Sequence, residues 1–394
     1  MKSNEITIIG AGNGGRAFAV YLSDLGFKVK LGFRTYENIS TILRTGKIVS
    51  KGLMKGIYPI GRISPNYVNL IHNSKYIFIV VPAHVHIEII ERILPSLSDG
   101  QILILNPGRT FGAVEVYNFI KRKRPNLRIK VAETQSLLFT CRKISDSGVD
   151  IIKIKNSLDI CFYPEREDIK IQKELKTIFP QLNFVSNILE TSLNNIGALL
   201  HPTISILNAG AILRKNDFFF YRDVSLQIAN VIKEMDKERC LILNKLGIRP
   251  KTFLQWVRDS YNVNASNYFE AFRIIEPYKK IKAPKDLNNR YLMEEVPTGL
   301  IPLSSLGKYL NIPTPIIDSF ITLAGSLLGV NFYKNGRTLS RIRFPINNYL
   351  QTFPQKKVKG GFSRLLTRNK ISASRIHQKS LPSKLKGEYL TINK

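Results

Sequence analysis

Short β-branched runs punctuate the first half of the chain. "EITIIGAG", "FKVKLGFR", "KYIFIVVPA", "GQILILNPG" and "RIKVAET" each read as a strand. Amphipathic stretches lie between them, such as "RAFAVYLSDLG" and "HIEIIERILPSL". Strand alternating with helix predicts a doubly wound parallel sheet. Further runs, "GVDIIKIK", "LDICFYP" and "NFVSN", extend that sheet to about residue 187. From Thr191 to about Gly329 the periods are almost all helical. In "YRDVSLQIANVIKEMDKERCLILNKLGI", Val224, Ile228, Val231 and Met235 step by four, three and four, which predicts one buried helix face. The pattern divides the chain into an α/β domain over 1–187, an all-α domain over 188–350 and a tail over 351–394.

"GAGNGGRAFA" follows the first strand and opens the first helix. Gly10, Gly12 and Gly15 have the G-x-G-x-x-G spacing, which in this context is a Rossmann dinucleotide fingerprint. Gly10 permits the tight turn, Gly12 the approach of a pyrophosphate, and Gly15 the packing of helix on sheet. Asn13, Gly14 and, after a later strand, Pro82 are the further candidates for cofactor contact. A pyrophosphate would rest on the free N–H groups of the helix N-terminus. The second strand ends in "LGFR", without the acid that accepts from a ribose 2′-hydroxyl. Arg34 instead offers a planar fork for a 2′-phosphate, so NADP(H) is favoured and NAD(H) left open.

The segment "NNIGALLHPTISILNAG" sets a histidine beside a proline in an apolar, helical run. Read as a helix, Asn194, Ala198, His201, Ser205 and Asn208 form one stripe, the polar one. Pro202 lacks an N–H and disfavours helical angles at His201, so a kink is expected there. Glu294 and Glu295 precede Val-Pro in "NRYLMEEVPTGLIPL", and a carboxylate reaching His201 could fix its tautomer. "PAHVHIE" places His84 and His86 two apart, but no third ligand accompanies them and no metal site is expected.

Charge and composition narrow the classes. Lys and Arg number 59 against 29 Asp and Glu, a formal charge of +30. Residues 355–394 alone carry eight Lys and three Arg against one Glu. This tail has little periodicity and no aromatic interleaving, so it reads as a poorly ordered solvated appendix, and nucleic acid is not expected as a partner. The late apolar stretch "PIIDSFITLAGSLLGV" contains Asp318 and is short for a membrane span, so it reads as a buried helix. Three scattered cysteines, Cys141, Cys161 and Cys240, suggest neither disulfide framework nor zinc site. With an N-terminus that lacks the pattern of a signal peptide, the expected location is cytoplasmic. A homodimer is left open.

Five stretches together resemble the octopine/nopaline-type opine dehydrogenases. They are "GAGNGG", "NPGRTFGAVE" (106–115), "AETQSLLFTCR" (132–142), "NNIGALLHP" (194–202) and "RYLMEEVPTGLIP" (290–302). The similarity spans about residues 5–345, and the last two stretches are far more specific than the glycine turn. The resemblance implies a Rossmann domain, a helical domain and a nicotinamide between them. It implies an enzyme that condenses an amino acid's amine with a 2-oxo acid and reduces the imine, or runs the reverse oxidation. His201 takes the place of the family's catalytic acid/base. Glu295 stands where the family usually has Asp, one methylene longer, so the geometry must adjust. Arg142, Asn194 and Arg290 are the expected substrate contacts; both arginines could grip a carboxylate bidentately.

Two alternatives stand beside this reading. One is a ketopantoate or glycerol-3-phosphate type reductase of the same architecture. Those use a helix lysine as acid, and "SLNNIGALLHP" has none. The other is a non-catalytic dinucleotide-binding sensor whose basic tail binds nucleic acid or membrane.

Overall fold

The structure, a computed structural model, describes residues 4–37, 39–165 and 168–350. The basic tail over 351–394 therefore lies outside the described residues. Among the described residues twelve strands form two sheets. They are β1 (Glu5–Ile9), β2 (Lys28–Gly32), β3 (Lys47–Gly52), β4 (Gly56–Pro59), β5 (Arg62–Ser64) and β6 (Tyr76–Ile79). There follow β7 (Ile102–Leu105), β8 (Lys130–Thr134), β9 (Phe139–Lys143), β10 (Gly148–Ile154), β11 (Leu158–Tyr163) and β12 (Leu182–Phe184).

The large sheet has the order β12-β11-β8-β7-β6-β1-β2-β5. Its pairs are parallel except β11 against β8. The strand order reverses between β1 and β6, and ligands of such sheets bind in the crevice at that switch. Its central strands β6 and β7 are fully buried apolar runs and β1 is buried from Ile6 onward, as a sheet covered by helices on both faces requires. The first helix, α1 (Asn13–Asp24), buries Phe18, Val20 and Leu22 against the sheet's core. Each such side chain contributes roughly 1.5–3 kcal/mol of burial.

One expectation is corrected. The run "GVDIIKIK" does not extend the large sheet. It forms β10 in a separate four-stranded sheet, β4-β3-β10-β9. β10 runs parallel to β3 and antiparallel to β9. That sheet recruits strands with weak sequence signals, including the glycine-flanked β4. Fully buried Arg16 of α1 ties it to the glycine turn. Its Nε donates to the Ala11 carbonyl at 3.0 Å and its Nη1 to the Ser145 carbonyl at 2.7 Å.

From Ile188 onward the described elements are helices, with a second core around Phe220, Phe253, Trp256 and Phe272. The helix Leu226–Lys245 corrects a second expectation. The Ser225 hydroxyl accepts from Ile228 N and caps it, so Val224 lies outside the helix. Its buried face runs through Ala229, Ile232, Met235, Asp236, Arg239 and Leu243. The face is offset from the apolar count because a buried ion pair sits on it, with Arg239 Nη2 2.6 Å from Asp236. "PIIDSFITLAGSLLGV" forms the helix Pro315–Leu328, which buries Ile317, Phe320, Ile321 and Ala324. No single described helix is long and apolar enough to cross a membrane.

Candidate active site

The glycine turn closes where the sheet switches. Gly10 has φ +117°, and a Cβ there would lie 2.3 Å from the Val80 carbonyl oxygen. A Cβ on Gly15 would lie 1.6 Å from the Gly10 carbonyl oxygen, so the helix start and the turn touch through glycine alone. At Gly12 a Cβ would meet nothing within 4 Å. α1 carries no side-chain cap and no acid in its first turn, which leaves its first N–H groups for an anion. Two close approaches, one open position and an uncapped helix start fit a dinucleotide's pyrophosphate.

Gly12, Asn13 and Gly14 line a cavity of about 300 Å³ together with Pro82 and Asn106. Asn13 is oriented by β9, because its Oδ1 accepts from Lys143 N at 2.9 Å. Arg34 lies two residues past β2, exposed, with its charge acting on Tyr67 and His84. It is not among the cavity-lining residues.

The far wall of the cavity belongs to the helical domain. His201 sits on the helix Gly197–Leu207, which runs unbroken across Pro202. Its imidazole is held at both nitrogens. Nδ1 lies 2.5 Å from Glu295 Oε1 and Nε2 lies 2.7 Å from the Tyr221 hydroxyl. The chemistry of the partners sets the tautomer. A carboxylate only accepts, so Nδ1–H donates to Glu295 and Nε2 accepts from the Tyr221 hydroxyl. Tyr291 stacks on the imidazole at 4.5 Å and 22°. Burial pushes the His201 pKa below its ordinary value; Glu295 opposes this and Arg290 and Arg109 reinforce it. The ring is neutral at pH 7. Burial likewise raises the Tyr221 phenol, which stays protonated.

Glu295 reaches His201 because two elements meet through small residues. It directly precedes a π-helical turn, Val296–Leu300. Such turns recur at functional sites. A Cβ on Gly299 in that turn would lie 2.5 Å from the Ala198 Cβ on the histidine's helix. Arg109 joins the two glutamates. Its Nη2 is 2.8 Å from Glu295 Oε1 and its Nε is 3.2 Å from Glu294 Oε1. Glu294 Oε1 also accepts from Ala83 N at 3.0 Å, which pins the loop after β6 to the helical domain. Burial pushes the Glu294 carboxyl up, but Arg109 and Arg290 outweigh it and hold it at about 2.

The structure thus brings His201, Glu295, Arg142 and Arg290 to the cavity opposite the glycine turn, with Glu295 behind the imidazole. Arg142 lies half-buried on β9, and Arg290 Nη1 is 3.8 Å from Glu294. Asn194 is not brought there. It caps the preceding helix Ile188–Leu193, and its Oδ1 accepts from Arg239 at 2.8 Å and from Lys251 N at 3.1 Å. Its Nδ2 donates to the Glu190 carbonyl. The expected polar stripe fails for this reason: the helix begins at Gly197, after Asn194. His84 is exposed. His86 is fully buried, with Nδ1 3.4 Å from Arg337, and burial lowers its pKa to about 3. Among the described residues no three of His, Cys, Asp or Glu cluster as metal ligands.

Sequence reasoning passed over Tyr221, Arg109 and Lys155. Tyr221 sits in "FFFYRD", where nothing separates it from neighbouring core aromatics. Arg109 lies within "NPGRT", a stretch already singled out, and its φ of +60° marks a turn that aims it at the glutamates.

Comparisons with known proteins show an NAD(P)-dependent oxidoreductase that acts on the CH–NH group of its donors. The comparisons identify the family. The family model for the α-helical domain of NAD/NADP octopine/nopaline dehydrogenase matches residues 184–328. That for the N-terminus of NAD-dependent glycerol-3-phosphate dehydrogenase matches residues 5–107. An opine dehydrogenase of Arthrobacter sp. (strain 1C) is 33% identical over 344 residues, covering 87% of this chain and 96% of that protein. Among solved structures, an octopine dehydrogenase with NADH and L-arginine superposes with TM-score 0.72 at 17% identity, covering 89% of this chain and 98% of the other. A yersinopine dehydrogenase with NADP+ bound gives TM-score 0.69 at 15% identity, covering 89% and 99%. This chain belongs to the opine dehydrogenase family, and its activity is of the opine-dehydrogenase type.

Proposed function

We propose that the protein is an NADPH-dependent opine-forming dehydrogenase. In this reading it condenses the amine of an amino acid with a 2-oxo acid, reduces the imine, and catalyses the reverse oxidation. The observation that carries the reading is the Glu295–His201–Tyr221 chain on the cavity wall opposite the glycine turn. The chain's own relatives support it, and so does the absence of lysine from the histidine's helix.

Gly10, Gly12, Asn13, Gly14, Gly15 and Pro82 hold the cofactor, with Arg34 at the 2′-phosphate. When bound, the nicotinamide supplies the hydride. Arg142 and Arg290 hold a substrate carboxylate, and the excess of cations over the sole lining carboxylate, Glu294, concentrates such anions. His201 takes the proton that the amine releases as it attacks the 2-oxo carbon. It then returns a proton to the departing hydroxyl, which leaves as water. Glu295 stabilises the imidazolium between these steps and keeps Nδ1 protonated. Tyr221 occupies Nε2, so the proton passes through its phenol: the hydroxyl gives its hydrogen to the substrate as Nε2–H replaces it.

The test is cofactor oxidation by purified protein, with pyruvate or 2-oxoglutarate and a panel of amino acids. Oxidation that needs both substrates, prefers NADPH to NADH and vanishes in His201→Ala supports the whole reading. Equal use of NADH removes the role given to Arg34. Oxidation with the 2-oxo acid alone replaces the reading by a simple keto-reductase.

A further inference from the structure

Lys155 lies in the short connection between β10 and β11, and its side chain lines the same cavity. Its backbone is fixed on both sides. Its own N–H donates to the Leu138 carbonyl at 3.1 Å, and Asn156 N–H donates to the Ser260 carbonyl at 3.4 Å. The residue is only 6% exposed. Nζ donates to the Ser136 hydroxyl at 2.6 Å and stands 5.1 Å from the centre of the Trp256 ring.

This arrangement leaves a charge unanswered. An ammonium has three donors, and Ser136 takes one of them. A buried cation is costly unless an anion pairs with it. The charged group that acts on Lys155 is another cation, Arg109, and burial together with that repulsion lowers its pKa to about 7. The cavity's single lining carboxylate, Glu294, is already bonded to Arg109 and Ala83. Arg142 and Arg290 act on the Tyr221 phenol and so serve the part of the cavity beside His201. An amino acid and a 2-oxo acid each bring a carboxylate, and the two arginines account for one.

We propose that Lys155, with Ser136, binds the carboxylate of the second condensing substrate beside Trp256. This rests on the opine reading, but the site can be tested apart from it. Trp256 is the only tryptophan in the chain, so its fluorescence reports on this corner of the cavity without turnover. The experiment titrates the full-length protein, loaded with NADPH, with pyruvate, 2-oxoglutarate and individual amino acids. It follows Trp256 emission in the wild type and in K155M, K155R and K155Q.

One substrate class should perturb the emission of the wild type. K155M should weaken its binding by about 10- to 100-fold, the worth of a charge-assisted hydrogen bond, and leave the other class within about twofold. K155R should recover most of the loss. Removing the same carboxylate from the ligand, as its amide, should weaken wild-type binding but cost K155M nothing further. K155Q carries the test if K155M loses NADPH binding. Whichever class responds identifies the substrate whose carboxylate Lys155 holds. The proposal is overturned if no carboxylate perturbs Trp256, or if the variants bind both classes as the wild type does. Carboxylate binding without turnover of any substrate pair would sink the opine reading and leave this site standing.

Discussion

Replacing Glu295 by Gln removes a charge from a fully buried position and changes little else in volume. In the wild type, Glu295 Oε1 accepts from His201 Nδ1 at 2.5 Å and from Arg109 Nη2 at 2.8 Å. The amide keeps one acceptor for these two donors and adds an N–H₂ group with no acceptor of its own. A charge-assisted hydrogen bond is worth about 1.5–3 kcal/mol, so kcat/KM should fall by at least about 10-fold, and by about 100-fold at the upper figure. The loss grows if the amide turns its N–H₂ toward the ring, because that inverts the imidazole tautomer. The pH profile supplies a second readout with a definite sign. Burial holds the His201 pKa below its ordinary value, and Glu295 is the chief opposing influence. Without that charge the pKa falls further. In the oxidative direction the imidazole acts as base, active above its pKa, so the acid limb of the profile should move to lower pH. In the reductive direction the imidazole also starts as the base, taking the amine's proton, so that acid limb should move the same way. The assay is NADPH oxidation and NADP+ reduction across pH, with cofactor binding as the control for folding. Activity within threefold of the wild type, or a limb that moves toward higher pH, would refute the reasoning.

Five other changes separate the parts of the site and fold. Tyr221→Phe should lower kcat about 10-fold or more with little change in either substrate KM, because the phenol acts on proton transfer; an unchanged kcat would remove it from the relay. Gly12→Ala should leave the melting temperature within a degree or two but weaken NADPH binding, since its Cβ meets only open space; Gly15→Ala should lose both, as measured by thermal melting and cofactor titration. Arg239→Met leaves Asp236 buried without its partner and should destabilise the fold by about 3–5 kcal/mol in denaturant unfolding. Arg34→Ala should raise the KM for NADPH and leave that for NADH unchanged, which steady-state kinetics with both cofactors will decide.

The strands of the parallel sheet and the glycine turn were legible because continuous β-branched runs and glycine spacing are local signals. The second sheet was not, because β3 and β4 are short and carry polar or glycine residues that look like loop. The pairing of His201 with Glu295 spans 94 residues; the residues suggested one of two adjacent carboxylates, and only the resemblance to a family chose Glu295. Local periodicity misplaced Asn194 because the helix starts three residues later than the apolar run. It missed Asp236 and Arg239 as core because two charges that cancel in space look like surface in sequence. Lys155 was hidden for the same reason, since a buried lysine reads as an exposed one until its surroundings are known.

The central claim is that a new bond forms between an amine nitrogen and a 2-oxo carbon. The most direct measurement is the mass of the product formed from a 15N-labelled amino acid, a 2-oxo acid and NADPH. The account predicts one species that retains the label, with a mass equal to the two substrates plus two hydrogens less one water. A 2-hydroxy acid without nitrogen, formed equally well when the amino acid is left out, would contradict it.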